Sequence, residues 1–194
     1  MDQKIINLYD DYTHTPLSRS EFIRRLVLIT GSITAAMSIL PMIEVSAGNM
    51  KITSDEDLFT ETIKHKGVPG NMEAYIARPK AEKKYPAVII IHENRGLNDH
   101  IRDVARRAAK EGFLAIAPNA LSAIGAAPAT EDEARQKFQE LKAEDNLQNF
   151  LNTYDYLGTR KDYDGNCGCV GFCWGGAMAN SLAVKLPDLK AAVA

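Results

Sequence analysis

The sequence predicts an α/β fold, a mostly parallel sheet flanked by helices, and three observations predict it. Short apolar runs rich in β-branched residues recur, residues 86–91 (Pro-Ala-Val-Ile-Ile-Ile) above all, as strands buried on both faces require. Helix-length amphipathic segments separate such runs, at residues 98–110, 130–141 and 147–158. Gly112 and Gly158 stand as stops where two of those segments end. The composition fits a packed domain: 194 residues, 45% hydrophobic and 25% charged, which excludes disorder, collagen and coiled coil. A formal net charge of −2 lacks the basic surface of a non-specific nucleic-acid binder. Three Cys without repeated spacing exclude a disulfide scaffold and a paired-Cys zinc site.

Residues 1–48 are set apart as a signal or anchor segment, which leaves residues 49–194 for the α/β domain. The chain is polar through Arg25 and then carries no charge from Leu26 to Ile43, a run of about 18 residues, near the lower limit for spanning a bilayer. Ser18-Arg19-Ser20-Glu21 reads as a capping box that opens a helix, and Pro41 would end it. A basic flank at Arg24-Arg25, the apolar run and the small residues Val45-Ser46-Ala47 are the three parts of a secretory signal, with cleavage expected before Gly48. The stretch from Ser18 to Arg24 resembles the twin-arginine signal, with Ser20 where the second Arg would stand. The alternative is an uncleaved anchor or a decayed signal. A working signal implies export to the periplasm, a dead one a cytoplasmic location, and only an uncleaved segment implies contact with a membrane.

Beyond it, residues 59–64 and 72–78 read as two strands joined by the turn Gly67-Val68-Pro69-Gly70. The buried strand 86–91 follows. The helix 98–110 puts Ile101, Val104, Ala105 and Ala108 on one face. Residues 113–117 form the next strand, closed by Pro118, and 121–129 a Gly/Ala/Pro loop. Thr130 with Glu133 opens a mostly polar helix, and Leu147, Phe150, Leu151, Tyr154 and Leu157 mark another. Residues 167–170 are a strand, the segment from Gly175 a helix, and 189–194 the start of a last strand.

Gly171-Phe172-Cys173-Trp174-Gly175-Gly176 sits between that strand and helix, in the pattern Gly-x-nucleophile-x-Gly with Cys as nucleophile. So sharp a turn strains the backbone at its apex, and side chains two positions either side would collide with strand or helix, so Gly stands there. The positive end of the helix dipole favours an anionic sulfur at that place. The plainer alternative is a small buried Cys on a Gly-rich turn. Cys167 and Cys169 alternate along the strand and read as core. The spacing of the three Cys does not make a metal cluster, and no cofactor is called for. A second constellation, His92-Glu93-Asn94-Arg95-Gly96-Leu97-Asn98, follows the most hydrophobic strand, where an α/β sheet of this kind places an oxyanion donor. Glu93 is either a carboxylate for the chemistry or a loop ion pair with Arg95. No Gly-x-Gly-x-x-Gly follows that strand, which argues against dinucleotide binding.

These two motifs, with Asp103-Val104-Ala105-Arg106-Arg107 between them, resemble the dienelactone hydrolase family of the α/β-hydrolase fold from about Phe59 to Ala194. The resemblance implies Cys173 as nucleophile and Glu93 as the carboxylate that helps turn the thiol into a thiolate when substrate binds. It implies the backbone N–H groups of Asn94 and Trp174 as the oxyanion hole. The implied reaction, of the carboxymethylenebutenolidase kind, hydrolyses a small-molecule ester or lactone through a thioester. Two departures qualify it. Where family members hold a substrate carboxylate with an Arg, this chain reads Asn119-Ala120-Leu121-Ser122, so a dienelactone substrate is not implied and an uncharged ester or lactone is equally open. The acid and His that follow the nucleophile in this fold have no counterpart: His14, His65, His92 and His100 all precede Cys173, and Asp188 reads as a surface residue. His92 is expected to point away from the nucleophile. The expectation is therefore an incomplete, C-terminally truncated domain with an apolar edge and poor solubility, and the alternative to a hydrolase is a catalytically inactive remnant or a binding protein on the same fold.

Overall fold

The computed structural model describes residues 2–15, 17–43, 53–126 and 128–194. It divides into two compact units, residues 1–52 and 53–194.

The first unit holds three helices, α1 (Gln3–His14), α2 (Arg19–Thr30) and α3 (Ile33–Ile43). Ile5, Leu8 and Tyr12 of α1 pack on Phe22 and Leu26 of α2 and Ala36 and Leu40 of α3, with the Tyr12 and Phe22 rings stacked at 4.4 Å. Ser18 caps α2 through Glu21 N–H, as its sequence pattern requires. The single helix expected through the apolar run is corrected. Gly31 takes φ +79° as the left-handed cap of α2, Ser32 caps α3 through Ala35 N–H, and the two axes diverge by 113°. Pro41 lies inside α3 rather than ending it. No single described helix is long and apolar enough to cross a membrane. The cleavage site expected at Val45–Gly48 lies outside the described residues.

The second unit is built on β1 (Leu58–His65), β2 (Met72–Pro79), β3 (Tyr85–Ile91), β4 (Leu114–Asn119), β5 (Tyr163–Gly171) and β6 (Ala191–Val193). They form one mixed sheet in the order β1-β2-β4-β3-β5-β6. The β1–β2 and β2–β4 pairs are antiparallel, and β3–β4, β3–β5 and β5–β6 are parallel. Four helices join the strands: α4 (Asp99–Lys110), α5 (Glu131–Phe138), α6 (Ala143–Gly158) and α7 (Trp174–Lys185). Asn98 caps α4 through Ile101 N–H and Thr130 caps α5 through Glu133 N–H.

Two apolar layers fill the sheet's faces. One joins Ile89, Ile91, Leu114 and Ile116 to Phe150, Leu157, Ala179 and Leu182. The other joins Ile90, Ala115 and Ala117 to Ile101, Ala105 and Ala109 of α4. On α4 the buried stripe therefore runs through Ala109 and Asp103, where the sequence pattern puts Ala108 and Val104. Asp103 is buried because its carboxylate accepts from Thr53 N–H and from Arg107. Pro118 does not close β4 but lies within it. It pairs with Ala74 of β2, while the ladder to β3 has already stopped at Ile116, so its missing N–H costs no strand bond. All three residues of β6 are exposed.

Candidate active site

Three segments leave the sheet at the same end. In the β3–β5 register Ile91 stands opposite Gly171, so Glu93 and Cys173, two residues further along each strand, leave the sheet side by side. The adjoining turn is fastened to β3: Phe172 N–H donates to the Ile91 carbonyl at 3.1 Å. A methyl group at Gly171 would be driven into the Gly175 carbonyl, and one at Gly175 into the carbonyl oxygens of Ile91 and His92. Both glycines are thus required by close approach of backbone to backbone.

Cys173 stands at the apex with φ +53° and ψ −112°, the sole described non-glycine residue at positive φ. Such a conformation costs of order 1–3 kcal/mol and persists because its surroundings over-determine it. The thiol is exposed at the N-terminus of α7. The reading of it as a small buried Cys is corrected, since the elbow lifts it out of the sheet. Cys167 and Cys169 are core, and burial pushes their thiols up to about 12 and about 11. Trp174 is the first residue of α7, so its N–H is one of the helix's unpaired leading donors. Its indole lies over the His92 imidazole at 5.5 Å, with the Phe138 ring edge-on at 5.0 Å.

Glu93, Asn94 and Arg95 are half-buried on the loop after β3. Two side chains tie that loop to the end of β4. Asn119 Oδ1 lies 3.4 Å from Leu97 N–H, and Ala120 N–H donates to His92 Nε2 at 3.1 Å. Ser122 accepts from Glu73 N–H and donates to the Asn119 carbonyl. The segment 119–122 is therefore spent on bracing. His92 is fully buried and its ring bonds the Glu93 carbonyl through Nδ1. Asp188 is exposed, as expected, and His100, also exposed, packs edge-on against Phe172 at 6.2 Å.

Sequence reasoning missed the bracing role of His92 and of Asn119. It also missed Asn149, which is buried in α6 and bonds both the N–H and the carbonyl of Val68. One signal was present for Asn149: Asn146, Asn149 and Thr153 recur at helical spacing on a buried face.

Burial lowers the His92 imidazole to about 4, against the pull of its bond to Glu93, and lowers His65 likewise. An unfolded His titrates near 6.5, so between those values the unfolded chain takes up protons that the folded chain refuses. Stability from this source is full above pH about 6.5 and falls as pH drops toward 4, by about 3 kcal/mol for His92. Urea unfolding at pH 7.5 and pH 4 should show parent protein losing about that much more than His92→Gln. Equal losses would contradict it.

The family profile described as Dienelactone hydrolase family matches residues 72–194. Hydrolase fragment YghX of Escherichia coli K12 is 47% identical over 73 residues, 37% of this chain and 62% of that one. A Salmonella typhi protein named as a carboxymethylenebutenolidase is 37% identical over 129 residues, 64% of this chain and 47% of that one. The chain thus spans about half the length of the curated relatives it matches. A crystal structure titled as a dienelactone hydrolase from Klebsiella pneumoniae superposes with a TM-score of 0.60 at 31% identity, covering 69% of this chain and 58% of that one.

Proposed function

The chain belongs to the dienelactone hydrolase family, and on that footing we propose that Cys173 is the nucleophile of an ester- or lactone-cleaving site. Its Sγ adds to the substrate carbonyl, and Glu93 takes the thiol proton. The Asn94 and Trp174 N–H groups receive the developing oxyanion, the alkoxide leaves with a proton, and the acyl group stays on sulfur as a thioester that water then cleaves. One observation carries the reading: an exposed Cys held at positive φ between two glycines whose Cβ positions are filled by backbone. With 119–122 engaged in bracing and no Arg there, an uncharged ester or lactone suits the site.

A second reading, a hydrolase fold without turnover, is favoured by His92: the imidazole next to Glu93 has both ring nitrogens bonded. One experiment separates them. On mixing the 194-residue chain with p-nitrophenyl acetate at pH 7.5, about one equivalent of nitrophenolate should be released and an acetyl group appear on Cys173 by mass spectrometry. Cys173→Ala should do neither. Release that continues beyond one equivalent supports the hydrolase, and arrest after one supports the fold without turnover. An unmodified Cys173 with no more nitrophenolate released than Cys173→Ala gives refutes its role as nucleophile.

A further inference from the structure

His92 is a buried imidazole that the reaction above does not use, and its surroundings give it a different task. Ala120 N–H can only donate, so Nε2 of His92 must accept, and Nδ1 carries the proton and donates to the Glu93 carbonyl. The ring is thereby fixed in one tautomer and one orientation between two chain segments 28 residues apart. One of its bonds ends on the peptide group that joins Glu93 to Asn94, the group whose nitrogen is the proposed oxyanion donor. Its flat face supports the Trp174 indole, the residue that supplies the other donor. The elbow also meets the backbone of His92, with Gly175 packed against its carbonyl.

We propose that His92 is a positioning residue, which sets the Glu93–Asn94 peptide against the Cys173–Trp174 turn by its two hydrogen bonds and its stack on the indole. It acts through those groups and does not itself touch substrate. This rests on the reading of Cys173 as nucleophile. A misplaced oxyanion donor slows acyl transfer but leaves simple alkylation of the thiol alone, because displacement of iodide builds no oxyanion.

Two rates on Cys173 therefore test it: acetylation by p-nitrophenyl acetate, and alkylation by iodoacetamide. His92→Phe keeps a flat ring and loses both hydrogen bonds. It should slow acetylation at saturating ester by about 100-fold, the order seen when one oxyanion donor is lost, with half-saturation and alkylation changed less than about threefold. His92→Gln supplies one donor and one acceptor and should recover at least about tenfold of that loss. A merely structural role predicts both rates falling together. That result, an unchanged acetylation rate in His92→Phe, or a His92→Gln no faster than His92→Phe would overturn the proposal while leaving Cys173 as nucleophile. Failure of the parent chain to acetylate at Cys173 would overturn the nucleophile reading and this proposal with it. Should His92→Phe not fold, His92→Gln against His92→Ala decides on the same ratio of rates.

Discussion

Native protein treated with iodoacetamide at pH 7.5 takes up one carbamidomethyl group, on Cys173, at least about 100-fold faster than any second. Two physical differences set that selectivity. Cys167 and Cys169 are each 2% exposed, so the reagent reaches them only through opening of the sheet, whereas Cys173 stands in solvent. Burial also keeps the two core thiols protonated: with values near 12 and 11, fewer than about one in a thousand is thiolate at pH 7.5, and the thiolate is the nucleophile. In urea the chain unfolds, both differences vanish, and all three should label at comparable rates. Peptide mapping of a time course reads this directly. Comparable labelling of the three in the folded chain would mean that β5 opens freely and that the elbow does not single out Cys173.

The parts of this site legible in the sequence are those set by neighbours in the chain. Gly171 flanks Cys173 at fixed spacing because the clash it avoids, with the Gly175 carbonyl, is within the turn; Gly175 is legible by the same motif, although the backbone it avoids is that of Ile91 and His92. The strand Tyr85–Ile91 is legible because burial on both faces demands a run of apolar residues, whatever its partners. Caps at Ser18 and Thr130 are legible because a side chain reaches only its own helix's first turn.

The rest depended on partners far along the chain. His92 reads as one more strand-end residue until Ala120 is found against it. Asn119 and Ser122 read as loop, and only the sheet order, with β4 between β2 and β3, brings them to Glu73 and Leu97. Helix α1 was hidden because Ile5, Leu8 and Tyr12 are few among polar residues and gain meaning from Phe22 and Leu26. The break at Gly31 was hidden for the opposite reason: inside an apolar run, its left-handed φ is invisible.

The same steric facts give a large stability effect from a single methyl group. Gly175→Ala places its Cβ against the carbonyl oxygens of Ile91 and His92, and Gly171→Ala places its own against the Gly175 carbonyl, both backbone atoms that no rotamer change can move aside. For Gly175→Ala relief requires β3 and the start of α7 to separate, which breaks the Phe172–Ile91 bond and the apolar contacts of Ile91 and Ala179 behind it, and for Gly171→Ala it requires the elbow itself to open. Each substitution should cost about 3 kcal/mol or more, the upper part of the range for overpacking, because the obstruction is main chain on every side. Gly158→Ala is the control: it ends α6 with nothing within 4 Å of its Cβ, and should change stability by less than about 1 kcal/mol, toward stabilisation. Urea unfolding followed by circular dichroism compares the three. Were Gly175→Ala to unfold at the parent's midpoint, the close approach of elbow to β3 would be wrong, and the side-by-side placement of Glu93 and Cys173, on which the proposed chemistry depends, would fall with it.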